Sequence, residues 1–215
     1  MAFTGGTFQG AKMYDFQINE IFYSIQGEGK QVGIPAIFVR LAGCNLKCSW
    51  CDTPNHIEVN LTLSYKQLYD EISRLSTSCK NIVFTGGEPL LQQLAIIKFV
   101  EQFNFNYFVE TNGTVEPLDL LKDQIFWTVS PKQLKRINDW LPWADAVKLV
   151  YSKETNPAKK AELLTKLSLI SKTTPVYIQP LEIDGHYNFD ECIDFIKENP
   201  EWKLSIQTHK LLNIR

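Results

Sequence analysis

No stretch of the 215 residues approaches the ~20 consecutive apolar side chains that a bilayer-spanning helix needs, so no membrane anchor is expected. Charge of one sign is missing too. The 22 Lys and Arg nearly cancel the 24 Asp and Glu, and no basic run stands out, which argues against a nucleic-acid surface. Residues 1–12 have neither the basic start nor the apolar core of a secretory leader, and a reducing cytoplasm is the expected setting. Cysteines are few, odd in number and unevenly placed: of five, three are crowded together, which is not a disulfide framework. Neither an internal repeat nor a low-complexity linker divides the chain. A loose lead-in over residues 1–13 followed by one domain over 14–215 is the expectation, with a hydrophobic content of 44% sufficient for a full core.

Short β-rich runs alternate with segments of helical spacing. The runs are 34–41, 81–84, 107–109, 126–129, 146–150, 175–178 and 202–206. Between them, 64–75, 90–103, 157–170 and 189–197 carry apolar residues on one helical face, and Ser64 with Gln67 predicts a capping box. Alternation of this kind predicts parallel strands joined by crossover helices. The intervals 113–126 and 131–145 are too short or irregular for full helices, so the barrel is expected to be incomplete.

Three thiols fall within eight residues, Cys44, Cys48 and Cys51, at C-x3-C-x2-C spacing. Thiolates are soft ligands, and a cluster this tight indicates metal or iron–sulfur ligation. Closed structural zinc sites take four protein ligands, whereas three without a fourth cysteine suggest an iron left open to a ligand. A Cys3His zinc site completed by His56 stands as the alternative. Cys79 and Cys192 lie far off and are expected to be buried as small hydrophobes.

The unusual residues follow the β runs: Cys44 the first, Thr85-Gly-Gly-Glu-Pro89 the second, Glu110-Thr-Asn-Gly113 the third and Ser130-Pro-Lys132 the fourth, with Gln179–Glu182 and Gln207–Lys210 after later ones. In a parallel α/β barrel these strand ends converge on the active-site face. The paired glycines Gly86 and Gly87 allow close backbone approach, and the Glu88 carboxylate can grip an amino group.

The cysteine triplet and the Gly-Gly-Glu-Pro strand end resemble the radical S-adenosylmethionine (SAM) superfamily. Ile21–Gly29 (IFYSIQGEG), Gly33-Ile-Pro35, Phe38-Val-Arg40, Cys51-Asp-Thr53, Ser130-Pro-Lys132 and Gln207-Thr-His-Lys210 narrow the likeness to the 7-carboxy-7-deazaguanine synthase family, from about Tyr14 to Arg215. The resemblance implies an incomplete TIM-type α/β barrel of the radical SAM type with a [4Fe-4S] cluster on Cys44, Cys48 and Cys51, and SAM on the open iron. It places SAM against Trp50, Cys51, Asp52, Gly87 and Glu88, against Ser130, Pro131 and Lys132, and against Gln179, Pro180, Leu181 and Glu182. The implied substrate is 6-carboxy-5,6,7,8-tetrahydropterin, met by Gln26, Gly27 and Glu28 at its guanine-like edge, by Arg40 at its carboxylate, and by Thr85 and His209. It further implies that the terminal carboxylate of Arg215 reaches the substrate, that Thr53 ligates Mg2+, and that a flavodoxin- or ferredoxin-type protein supplies electrons. The implied reaction contracts the pterin ring to 7-carboxy-7-deazaguanine and expels ammonia, on the route to the deazaguanine bases of tRNA such as queuosine. A compact barrel short of helices is expected to dimerise over the surface left bare. A glycyl-radical activase and a non-catalytic zinc-binding module are the rivals.

Overall fold

A computed structural model describes residues 13–132, 134–154 and 156–215; the expected lead-in lies, except for Met13, outside the described residues. Its centre is a nine-stranded sheet. The strands, in chain order, are β1 (Phe16–Ile25), β2 (Pro35–Leu41), β3 (Leu61–Leu63), β4 (Asn81–Gly86), β5 (Asn106–Thr111), β6 (Ile125–Val129), β7 (Ala146–Tyr151), β8 (Val176–Pro180) and β11 (Lys203–Leu204). A separate hairpin pairs β9 (Glu182–Ile183) with β10 (His186–Tyr187). Strands β2, β4, β5, β6, β7, β8 and β11 run parallel in that spatial order. β1 and β3 extend the β2 edge in antiparallel fashion.

The helices are α1 (Tyr65–Leu75), α2 (Gln93–Gln102), α3 (Asp119–Lys122), α4 (Ile137–Trp140), α5 (Pro157–Ser171), α6 (Phe189–Glu198) and α7 (Thr208–Leu211). Ser64 and Gln67 form the expected capping box at the start of α1. Leu68 and Ile72, on its buried face, are fully enclosed, each worth about 1.5–3 kcal/mol against exposure. Among the described residues, the intervals read as irregular hold only one-turn helices, α3 and α4, the latter between two short 3-10 turns.

Strand alternation divides the sheet's two faces. Ile37, Val39 and Leu41 of β2, Ile82 and Phe84 of β4, Val109 of β5, Trp127 of β6 and Val147 of β7 join the core beneath the helices. The opposite face begins with a small apolar floor of Phe22, Ala36, Phe38 and Val83, packed against Phe108. Two residues further along each strand the same face turns polar, with Arg40, Thr85, Glu110 and, on β7 and β8, Lys148 and Gln179. Because side chains alternate with a period of two, one polar residue per strand places a ring of polar groups inside the barrel.

The ladder does not close: β3 and β11 are its free ends. Hydrogen bonds span the gap instead. Thr208 N–H donates to Gly27 O at 3.0 Å, and Gly29 N–H donates to Ser205 Oγ at 3.0 Å. The segment after β1 thereby crosses to the segment after β11. Strand β1 was legible only as part of a motif, and β3 and the β9–β10 hairpin were not anticipated.

Candidate active site

A cavity of about 830 Å³ opens at the C-terminal ends of the parallel strands. Its cysteine wall follows β2. Gly86 and Gly87 make that wall possible: a Cβ on Gly86 would strike the Leu41 backbone, and one on Gly87 would strike the Gly43 carbonyl. Gly87 N–H donates to Leu41 O (3.1 Å) and Glu88 N–H to Gly43 O (2.8 Å), so the glycine pair is a seat for the cysteine loop. From the third strand end, Asn112 Nδ2 donates to Asn45 Oδ1 at 3.0 Å and steadies the same loop.

Cys44, Cys48 and Cys51 are free thiols on this one loop, and all three line the cavity. Burial pushes the Cys44 thiol above its ordinary range, so a bound metal is what would hold it as thiolate. His56, the alternative fourth ligand, donates its Nδ1 proton to the Thr53 carbonyl and lies 3.7 Å from Cys51 Sγ. Among the described residues no group of three or more His, Cys, Asp or Glu converges on a single-ion position. A cubane cluster carries its thiolates on separate irons and needs no such convergence, so the three thiols on one loop fit it.

Glu28, Glu110 and Lys148 meet in the lining of the same cavity. Lys148 Nζ lies 2.9 Å from Glu110 Oε2 and in close contact with Glu28. Gln207 Nε2 donates to Glu28 Oε1 at 2.6 Å and to Asp52 Oδ2 at 2.9 Å, tying this group to the cysteine loop. Burial alone would raise the Glu28 pKa, but Lys148 and the Gln207 bond outweigh it and hold Glu28 below the usual carboxylate range. Burial wins at Glu110, which is pushed up despite Lys148. Lys148 is raised, since its two carboxylates overcome its own desolvation. Asp52 is lowered against its burial by Gln207 and Lys210. Lys132 is depressed, first by burial and then by Lys148.

The other expected residues distribute as follows. Gln26, Gly27, Arg40, Trp50, Thr53, Thr85, Gly87, Ser130, Lys132, the run Gln179–Glu182, His209 and Arg215 border the cavity, as do Glu28 and Asp52. Arg40 Nη1 donates to Thr53 Oγ1 at 3.3 Å, and Lys132 Nζ to Ser130 Oγ at 3.0 Å. Pro131 is buried and is not part of the lining. Glu88 differs from the expected amino-group grip. It is fully buried, and its carboxylate accepts from Leu90 N–H (3.0 Å), Thr111 Oγ1 (2.8 Å) and Asn112 N–H (2.8 Å). Its backbone N–H holds the cysteine loop at Gly43. Lys148, Glu110, Gln207 and Lys210 are cavity residues that motif reading did not assign. For Lys148 the one available signal was a lone cation in the apolar run 146–150.

Comparison with known proteins places this geometry. The Radical SAM superfamily model matches residues 38–142, from β2 through α4. A 7-carboxy-7-deazaguanine synthase of Haemophilus influenzae is 38% identical, across 94% of this chain and 98% of its own length. The Bacteroides thetaiotaomicron enzyme of that name is 37% identical, across 93% and 98%. The chain belongs to the 7-carboxy-7-deazaguanine synthase family. A crystal structure of QueE from Escherichia coli shares the fold at a TM-score of 0.70 and 28% identity, covering 90% of this chain and 94% of that one. Membership in this family favours neither the activase nor the zinc-module reading. It also accounts for the open barrel with cysteines after the first parallel strand.

Proposed function

We propose that the chain is a radical SAM carbon–nitrogen lyase that makes 7-carboxy-7-deazaguanine from 6-carboxy-5,6,7,8-tetrahydropterin with release of ammonia. One observation carries the reading: the three-thiol loop and the Gln26–Glu28–Arg40 set line a single cavity. A [4Fe-4S] cluster on Cys44, Cys48 and Cys51 with SAM would supply reductive SAM cleavage and hydrogen-atom abstraction. The chain's own groups supply the rest. Glu28 is an ionised acceptor suited to adjacent ring N–H donors, and Arg40 offers a planar fork to the substrate carboxylate. Gly27 keeps the backbone close to His209, because a Cβ there would collide with the imidazole. Trp50, half exposed, is positioned as a wall beside the cluster.

Mg2+ at Thr53 belongs to this proposal. Thr53 Oγ1 already accepts from Arg40, and a guanidinium beside a dication is unfavourable. The Thr53 hydroxyl and substrate oxygens would offer the ion hard ligands, and a substrate carboxylate paired with Arg40 would offset the guanidinium charge beside it. We take residues 14–215 as one catalytic unit, supported by a sheet that runs from Phe16 to Leu204. Exposed Cys51 and Trp50 support access by a flavodoxin- or ferredoxin-type donor. Exposed Leu91, Leu94, Leu118 and Leu120 around α2 and α3 support a homodimer contact. Five unpaired thiols support residence in the cytoplasm. No helix among the described residues is long and apolar enough to cross a membrane.

Anaerobic turnover tests the reading. Reconstituted enzyme with SAM, reductant, Mg2+ and carboxytetrahydropterin should yield 7-carboxy-7-deazaguanine by chromatography. Formation of 5′-deoxyadenosine without that product would defeat the substrate assignment.

A further inference from the structure

Gln26 and Glu28 stand two residues apart, and both are held from below by one ion pair. Gln26 Nε2 reaches Glu110 Oε1 at 3.5 Å, while Gln26 Oε1 accepts from Glu28 N–H at 3.1 Å. Glu110 Oε2 meets Lys148 Nζ at 2.9 Å, and Lys148 also donates to Glu28 Oε2. The side chains of Lys148, Glu28 and Glu110 are 9%, 13% and 17% exposed. The three come from β7, the turn after β1 and β5, elements far apart in sequence. They meet on the lumen face, not in the apolar core.

We propose that the Lys148–Glu110 pair is a positioning device for the substrate's cyclic guanidine edge: Lys148 fixes the Glu28 carboxylate, and Glu110 fixes the Gln26 amide. The inference rests on the proposed pterin substrate.

Two features separate this from a structural ion pair. A buried pair that serves stability alone is often replaced by apolar residues without loss, and the neighbouring Phe38, Val83 and Phe108 show that this face accepts apolar side chains. The polarity begins where the cavity begins. The pair also sets a hydrogen-bond pattern. Each Glu28 oxygen receives one donor here, Gln207 on Oε1 and Lys148 on Oε2, so each keeps a lone pair for a substrate N–H. Gln26 cannot flip its amide without setting its carbonyl oxygen against Glu110. Without the ammonium, two neighbouring carboxylates would be left uncompensated, and they would share a proton in the neutral range. A protonated Glu28 is a donor facing donors and would repel the edge it should accept.

Equilibrium binding of carboxytetrahydropterin to the anaerobic, SAM-loaded holoenzyme tests this between pH 6 and 9. Wild-type enzyme must bind the pterin; if it does not, the substrate reading fails, and this inference falls with it. Given wild-type binding, Lys148→Met should weaken the pterin about thirtyfold or more at neutral pH, with the deficit shrinking as pH rises. Iron content and SAM affinity should stay at wild-type values. Lys148→Met/Glu110→Gln removes one charge of each sign and should recover about tenfold of that loss with a flat pH profile, because Glu28 no longer has Glu110 to share a proton with, while Asp52, joined to it through Gln207, and His209 beside it are the same in both variants. Wild-type pterin affinity in Lys148→Met would overturn the proposal. So would a pH-independent deficit that the double variant does not relieve, or parallel loss of iron, SAM and pterin binding in both variants.

Discussion

Arg40 stands directly opposite Glu20 in the β1–β2 ladder, and its Nε donates to Glu20 Oε1 at 2.8 Å. The pairing aims the rest of the guanidinium past Thr53 into the cavity. Glu20 also holds Arg215, and both guanidiniums lie over the Phe22 ring, at 5.9 and 5.4 Å from its centroid. Removing Arg40 therefore leaves Glu20 paired and β1 anchored. Arg40→Ala should weaken carboxytetrahydropterin roughly ten- to a hundredfold, the worth of a lost charged hydrogen bond, with cluster absorbance retained. Loss of iron in this variant would show that Arg40 supports the cysteine loop through Thr53.

Gly87 contributes space. Gly87→Ala drives a Cβ into the Gly43 carbonyl and against Cys44, so the cysteine loop must lift from its seat. Iron per chain after anaerobic reconstitution should fall well below wild type while far-UV circular dichroism stays native. Gly33→Ala is the control: its φ of +90° disfavours a side chain by about 1–2 kcal/mol, yet nothing stands in the way. Its iron content should be unchanged, and full loading of Gly87→Ala would refute the seat.

Glu88 should behave as a strut. Its buried carboxylate accepts three bonds, from Leu90, Thr111 and Asn112, and burial raises its pKa. Glu88→Gln presents an NH2 group to donors that need an acceptor. Urea unfolding should register a loss of about 1–3 kcal/mol. An unchanged midpoint would mean that the carboxyl is already protonated and its bonds are weaker than their geometry implies.

His209 predicts an acid-side slope. Burial disfavours its imidazolium and lowers its pKa from the ordinary 6.5. Between that value and the lower folded one, the unfolded chain binds more protons, so stability falls as pH drops below about 6.5. Above it the contribution is constant. His209→Gln should flatten the decline in unfolding free energy as pH falls below about 6.5. Equal slopes in the two proteins would remove His209 as the cause.

Much of the site was legible because its chemistry is local. Three thiols in eight residues, two adjacent glycines before Glu-Pro, and a Ser-x-x-Gln helix start declare themselves through short-range spacing. The strand-end positions followed from the alternation of β runs and helical segments. β1 escaped because its Asn19–Glu20 interior and its register irregularity between Ile18 and Glu20 break the simple alternation. That the Glu88 carboxylate is buried among Leu90, Thr111 and Asn112 was not legible, because sequence does not show on which side of the loop a carboxylate emerges.

The sequence alone determined the ligand loop, the glycine pair and the helix cap, since each depends on residues a few positions apart, and the alternation of β runs with helical segments along the chain. Tertiary structure alone decided that Lys148 meets Glu28 and Glu110, that Gln207 joins Glu28 to Asp52, and that the open barrel is bridged between Gly27 and Thr208. Those contacts join residues 38 to 181 positions apart. They depend on strand register, where a one-residue slip would turn Lys148 from the lumen into the core.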